Sequence, residues 1–148
     1  MEITIYTDGA CVGNPGPGGW AAMIISKNKK KQLCGGEKLT TNNRMELTAA
    51  IKALEYCSRQ DEKLPTLRQF KVYTDSIYLK EGITVWINTW EKNNWKTADK
   101  KNVKNVDLWK KLKKLAKNNS IKWLWVKGHS GNPMNDLVDK LAKESTPI

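Results

Sequence analysis

Apolar and polar positions alternate with a period of two from Glu2 to Cys11, the pattern of a strand with one buried face. Trp20 to Ser26 and Gln32 to Leu39 are similarly rich in β-formers, and the run Gly13-Asn14-Pro15-Gly16-Pro17-Gly18-Gly19 between the first two is a dense turn signal. These segments predict an antiparallel meander of three strands. From Arg44 to Arg59 the periodicity becomes helical, with Asn42 or Asn43 the expected N-cap. A short strand over Phe70 to Thr74, a helix over Ile83 to Trp90, a basic amphipathic helix over Val106 to Lys117, a strand over Ile121 to Val126 and a closing helix over Asn135 to Lys143 complete the chain. The order predicts an α/β fold, a mixed sheet covered by helices, with a right-handed crossover through the first helix.

The chain has 148 residues, too few to favour two domains and enough to bury a core without metal or disulfide staples. No repeat, linker or low-complexity tract divides it, so residues 1–148 are expected to form a single domain. Its 39% hydrophobic content and seven tryptophans exclude a disordered polyelectrolyte. Cys11, Cys34 and Cys57 show neither a paired motif nor zinc-ligand spacing with the one histidine, His129, and are expected as reduced thiols. No apolar run is long enough to span a bilayer, and the start reads as a strand and not a signal sequence. The expectation is a soluble cytoplasmic protein with no membrane partner.

Charge then narrows the partner. The net value is +11, and between Lys92 and Lys117 ten lysines stand against two acids, Asp99 and Asp107. Such a face is either simply solvated or the footprint of a polyanion.

Four acids point to chemistry. Ile5-Tyr6-Thr7-Asp8 and Val72-Tyr73-Thr74-Asp75 place an acid at matching strand ends, where ligands bind in open α/β sheets if the strands are parallel neighbours. Each could equally be a turn former. Glu46 shares a helical stripe with Ala50, Ala53 and Cys57, a face that should lie against the sheet, although a first-turn glutamate can also cap its own helix. Asp139 flanks the apolar stripe Leu137, Val138 and Leu141, whereas Asp136 shares a face with Lys140 and Lys143 and is expected as a surface ion-pair partner. His129 sits between glycines in Lys127-Gly128-His129-Ser130-Gly131, a placement suited to a proton carrier. Clustered carboxylates repel unless divalent cations neutralise them, and hard oxygen ligands suit Mg²⁺ or Mn²⁺. Two such ions promote in-line phosphodiester displacement.

Along nearly its whole length the chain resembles the type 1 ribonucleases H of bacteria. The resemblance rests on Tyr6-Thr7-Asp8-Gly9-Ala10-Cys11 with the glycine-rich turn, Thr41-Asn42-Asn43-Arg44-Met45-Glu46-Leu47, Thr74-Asp75-Ser76, Gly82-Ile83-Thr84, Trp95-Lys96-Thr97-Ala98, Val126-Lys127-Gly128-His129-Ser130-Gly131-Asn132 and the Asp139 helix. It implies a five-stranded mixed sheet with helices on both faces. It also implies an endonuclease that cuts the RNA strand of RNA–DNA hybrids with two Mg²⁺ ions, or Mn²⁺ in their place, leaving 5′-phosphate and 3′-hydroxyl ends. The family's metal-binding carboxylates fall on Asp8, Glu46, Asp75 and Asp139, and its loop histidine on His129. Residues 82–117 match its basic protrusion, with Trp86, Trp90, Lys100 and Lys101 toward the DNA strand; Trp86 and Trp90 are expected to be partly exposed, and Trp95, Trp109, Trp123 and Trp125 structural. Asn14, Asn42, Asn43 and the backbone at Gly9 and Cys11 match positions that read the minor groove and 2′-hydroxyls, and Thr41 and Asn105 match positions that grip a DNA phosphate.

Two positions depart from the family pattern. Leu39 stands where many relatives have arginine, so that either Lys38 substitutes or the phosphate pocket is weaker, and Ile77 stands where some relatives carry a polar groove-contacting residue. A chain without a separate hybrid-binding domain, and a monomer with no obligate protein partner, are expected. The rivals are a noncatalytic hybrid-binding module and another nuclease or strand-transfer enzyme of the same fold acting on DNA.

Overall fold

The computed structural model describes residues 2–60, 69–117, 119–128 and 131–147. Among these, five strands form one sheet in the order β3-β2-β1-β4-β5: β1 (Glu2–Cys11), β2 (Gly16–Ser26), β3 (Lys29–Thr40), β4 (Gln69–Thr74) and β5 (Ser120–Trp125). β1, β2 and β3 pair antiparallel, as the meander predicts, while β4 joins β1 in parallel and β5 joins β4 in parallel. The glycine-rich run is less of a turn than its composition suggests. β2 begins at Gly16, because Gly18 and Gly19 take part in the ladders to both β1 and β3.

Alternation in β1 decides what lies on each face. Ile3 and Ile5 enter a core with Val72 of β4 and with Leu47, Ala50, Ala53 and Leu54 of helix α1 (Asn42–Gln60). The buried stripe predicted beneath Glu46 is therefore present: Ala50, Ala53 and Cys57 are all buried. Tyr6 and Ala10 point the other way and pack with Ala21 and Met23 of β2 against Val138 and Ala142 of the last helix, α5 (Pro133–Glu144). Helices thus cover both faces of the sheet.

The N-cap of α1 is Thr41, not Asn42 or Asn43: the Thr41 hydroxyl accepts the Arg44 backbone N–H at 3.2 Å. Both asparagines already lie inside the helix and are exposed. The expected helix over Ile83 to Trp90 is part of a longer helical run comprising α2 (Ile77–Glu81), a π turn (Gly82–Trp86) and α3 (Ile87–Lys92). Its start was hidden because Ser76, the true cap, follows directly on the Thr74-Asp75 strand end; the Ser76 hydroxyl accepts the Leu79 N–H at 3.0 Å. Helix α4 (Val106–Lys117) has the predicted bounds and buries Trp109 and Leu112, which turns its lysines outward.

Candidate active site

Pairing of β1 with β4 sets Thr7 opposite Thr74 and stacks Tyr6 on Tyr73, with ring centroids 4.8 Å apart. The repeated Tyr-Thr-Asp words are thus in register, and Asp8 and Asp75 come out side by side. β4 ends there, but β1 continues to Cys11 on its β2 side, so Asp8 sits mid-strand where one neighbour has been withdrawn.

Glu46 reaches the same point from α1. The helix crosses so close to β1 that a Cβ added at Gly9 would lie 2.5 Å from the Glu46 backbone nitrogen, so only glycine admits the approach. The Gly9 backbone also hydrogen-bonds the Glu46 side chain. Carboxylate oxygens of Asp8, Glu46 and Asp75 all lie within 4.8 Å of one another. Asp139 approaches Asp8 from α5, because Asp8 is in phase with the α5-facing residues of β1, but it is not one of the three that converge within 4.8 Å. It pairs with Lys143, 3.1 Å away.

This cluster is electrostatically expensive. Asp8 and Glu46 are each 3% exposed, and Asp8 Oδ2 and Glu46 Oε1 are buried without a hydrogen-bond partner. Burial first, and then the Asp75 charge, push the Asp8 carboxyl from its ordinary 3.8 up to about 8. Burial and the Asp8 charge drive Glu46 well above the usual range. Unpartnered oxygens of one sign, converging within reach of a single ion, fit a hard divalent cation. Gly128 closes the opposite side, where a Cβ would stand 3.0 Å from Asp75 Oδ2. His129, the expected proton carrier, lies outside the described residues.

The other expected contacts line this edge and the adjoining flank. Asn14 and Asn42 are joined, the Asn14 side-chain oxygen accepting the Asn42 N–H at 2.8 Å, and Asn43 is exposed beside them. The Cys11 thiol donates to the carbonyls of Gly16 and Thr40. Asn105 is held from two sides, donating to the Tyr78 hydroxyl at 3.0 Å and accepting from Arg44 at 3.3 Å. Arg44, for which the sequence suggests no role of its own, also makes a two-pronged ion pair with Asp107. It joins the start of α1 to the start of α4 beside Thr41. Trp86 is 37% exposed and Trp90 half-buried, their rings 5.9 Å apart, in agreement with partial exposure. Lys100 and Lys101 are exposed, as are Lys38 and Leu39.

Trp125, expected to be structural, is 46% exposed and donates its indole N–H to the backbone carbonyl of Asp75 at 3.2 Å. One expectation fails. Asp136 does not take the flanking lysines: Lys143 pairs with Asp139, and Lys140 with Glu144.

A mixed sheet with three acids gathered where a parallel strand pair ends is compatible with divalent-cation binding, the arrangement found among metal-dependent phosphodiester hydrolases. Comparison with known proteins gives the family. The ribonuclease H family model matches residues 1–146. Over 142 residues the chain is 56% identical to the ribonuclease H of Maricaulis maris, covering 96% of this chain and 91% of that protein. It is 53% identical to the ribonuclease HI of Caulobacter vibrioides, covering 97% and 91%. Among solved structures it is similar to LC9-RNase H1, a type 1 RNase H with the type 2 active-site motif, at a TM-score of 0.83 and 28% identity, covering 97% of this chain and 71% of that one. The chain belongs to the ribonuclease H family, in its bacterial-type ribonuclease HI branch, and is a nuclease.

Proposed function

We propose that this protein hydrolyses the RNA strand of RNA–DNA hybrids, with two Mg²⁺ ions, or Mn²⁺, held by Asp8, Glu46, Asp75 and Asp139. The observation that carries the reading is the triad of Asp8, Glu46 and Asp75 at the end of the β1–β4 pair, within which Asp8 and Glu46 are buried and each keeps an oxygen without a partner. The cations, when bound, supply the positive charge that activates water and stabilises the departing 3′-oxygen, giving 5′-phosphate and 3′-hydroxyl ends.

The chain's own residues do the remaining work. Asp8 and Glu46 are fixed by the sheet and by α1 before substrate arrives, so little reorganisation is required at the moment of reaction. Asp139, paired with Lys143, stands beside Asp8 on the α5 side of the cluster. His129 carries a proton away from the reaction, so His129→Ala slows turnover without abolishing it.

Thr41 and Asn105 grip a phosphate of the DNA strand, with Arg44 holding Asn105 in place. With the Asn14 carbonyl committed to Asn42, the Asn14 amide group is left to face the minor groove together with Asn42, Asn43 and the backbone of Gly9 and Cys11. Trp86, Trp90, Lys100 and Lys101 of the protrusion, residues 82–117, hold the DNA strand. The hybrid is the partner of a monomer that acts without an obligate protein partner. Among the described residues no helix is long and apolar enough to cross a membrane, which is compatible with a cytoplasmic site of action.

The test is one labelled sequence presented as RNA–DNA hybrid, duplex RNA, duplex DNA and single-stranded RNA, with Mg²⁺, Mn²⁺ or EDTA. Metal-dependent cutting confined to the RNA strand of the hybrid is expected. Cutting of duplex DNA, or binding without cutting, would overturn the proposal.

A further inference from the structure

Helix α4 carries a second concentration of charge that the hydrolytic site does not use. Lys110, Lys113, Lys114 and Lys117 recur at i, i+3, i+4 and i+7, one stripe about 10 Å long. With Glu91 of α3 and Trp95 of the loop that follows, they line an open hollow of about 520 Å³. Trp86, Trp90, Lys100 and Lys101, assigned above to the hybrid, are absent from that lining among the described residues. The stripe is centred about a quarter-turn round α4 from Trp109, whose indole N–H donates to the same Tyr78 hydroxyl as Asn105. The hollow and the phosphate grip therefore lie on different sides of the helix.

The helix gains little from this arrangement. Lys110 with Lys114, and Lys113 with Lys117, are like charges at i and i+4, which destabilise a helix. Favourable interaction with the helix dipole reaches only the last turn, where Lys114 and Lys117 stand, and leaves Lys110 and Lys113 unaccounted for. One acid lines the hollow with them: Glu91, which takes Lys113 at 2.8 Å. Lys110 lies over the Trp95 ring, 5.6 Å from its centroid. Among the described residues Lys110, Lys114 and Lys117 have no acid within ion-pairing distance.

We propose that this hollow is a second nucleic-acid site, and that it takes single-stranded DNA: the continuation, past the end of the hybrid, of the DNA strand that the protrusion holds. A row of ammonium groups matches a backbone of repeating phosphates, and an indole in the same wall gives an unpaired base a face to stack on. A base that takes that face displaces the Lys110 ammonium, which then turns to a phosphate. Paired bases are stacked on each other inside a duplex and have no such face to offer, and an acidic peptide would neutralise the lysines while leaving the indole bare. The origin of the strand rests on the hybrid reading proposed above; the site itself does not.

Three measurements test it. In fluorescence anisotropy, labelled oligothymidylate should bind about tenfold more weakly to the combined variant Lys110→Gln, Lys114→Gln, Lys117→Gln, which keeps the Lys113–Glu91 pair, and the slope of log affinity against log salt should fall by about two. An abasic oligomer of the same length, with phosphates but no bases, should bind wild type about fivefold more weakly than oligothymidylate. In steady-state kinetics a thymidylate tail on the DNA strand of a short hybrid, placed at each end in turn, should lower the wild-type KM about fivefold at one of them; the variant should lose that gain while its kcat and KM on blunt hybrid stay at wild-type values. Circular-dichroism melting establishes that the variant is folded. Wild-type oligothymidylate affinity and salt slope in the variant would overturn the site. Equal binding of the abasic oligomer, or a tail without effect on KM, would overturn its assignment to a single-stranded flank, and labelled polyglutamate that bound more tightly than oligothymidylate would overturn it in favour of an acidic peptide. A wild-type protein that failed to cut hybrids would defeat the hydrolase reading, while the two titrations would still decide this one.

Discussion

At the carboxylate edge, Asp8, Glu46 and Asp75 bring one sign of charge together, two of them out of water and with oxygens unpartnered. Along the loop after α3 and the outer face of α4, lysines of the other sign stand in solvent. Lys111 is 3.9 Å from Glu55, Lys113 is 2.8 Å from Glu91, and Lys110 lies over the Trp95 ring. The first region concentrates a few charges whose mutual repulsion a bound cation relieves. The second spreads many charges that salt screens and no single neighbour depends on. Substitution should therefore act steeply and specifically at the first, and shallowly and additively at the second.

The largest expected effect follows directly. Asp8→Asn and Asp75→Asn should each lower kcat by about a thousandfold or more, with hybrid binding retained when divalent cation is present. Steady-state kinetics beside fluorescence anisotropy will separate the two; a near-wild-type kcat in either variant would refute the placement of the metal site.

Acidity gives the next contrast. A carboxyl raised to about 8 in the folded chain from an ordinary 3.8 binds its proton more tightly when folded. Its contribution to stability is therefore complete below about pH 4 and is lost as pH rises through about 8. Glu46 acts in the same direction. In EDTA the Tm should fall between pH 5 and about pH 8.5, whereas saturating Mg²⁺ should flatten that fall by stabilising the ionised cluster. Asp8→Asn in EDTA should be less pH-dependent than wild type and more stable at the alkaline end. Circular-dichroism melts at three pH values suffice, and a wild-type curve already flat in EDTA would show that the cluster carries no such strain.

Much of this was legible in the chain. Period-two alternation gave β1, and the doubled Tyr-Thr-Asp words gave the Asp8–Asp75 juxtaposition once the strands proved parallel. The small residues below Glu46 foretold its burial, since only a helix lying against a sheet needs Ala50, Ala53 and Cys57 in one row. The exposure of Trp125 was not legible, because it is in phase with the partly buried Ile121 and Trp123 and alternation gives a face, not a depth. Arg44 lay inside a recognised motif, but its partners Asn105 and Asp107 are some sixty residues away, beyond any local signal. Asp136 failed because helical facing offers a lysine two acids, and Lys143 took the one nearer the carboxylate site.

At the lysine-rich flank the expected changes are smaller. Replacing Lys100 and Lys101 together by Gln should raise KM severalfold and leave kcat nearly unchanged, because phosphate contacts bind ground and transition states alike. The slope of log affinity against log salt should fall by about one for each phosphate that is no longer neutralised. An unaltered slope would make these lysines a solvated surface.

The smallest effect is expected at Arg44 and Asp107, the pair that most resembles the carboxylate cluster in geometry and least resembles it in physics. Both bring charged groups close together beside the first turn of α1, but here the signs are opposite and the side chains are 34% and 62% exposed. The hydrogen bond from the guanidinium holds the Asp107 carboxyl below its ordinary pKa, opposite in sense to the shift at Asp8. Discounted for solvent, Asp107→Asn should cost about 0.5 kcal/mol, a Tm change of about one or two degrees. Because Arg44 also holds Asn105, the same variant should raise KM slightly while leaving kcat and the metal titration at wild-type values. A large fall in kcat would mean that the brace from α1 to α4 extends its influence to the carboxylates themselves, and the two charged regions would then have to be treated as one.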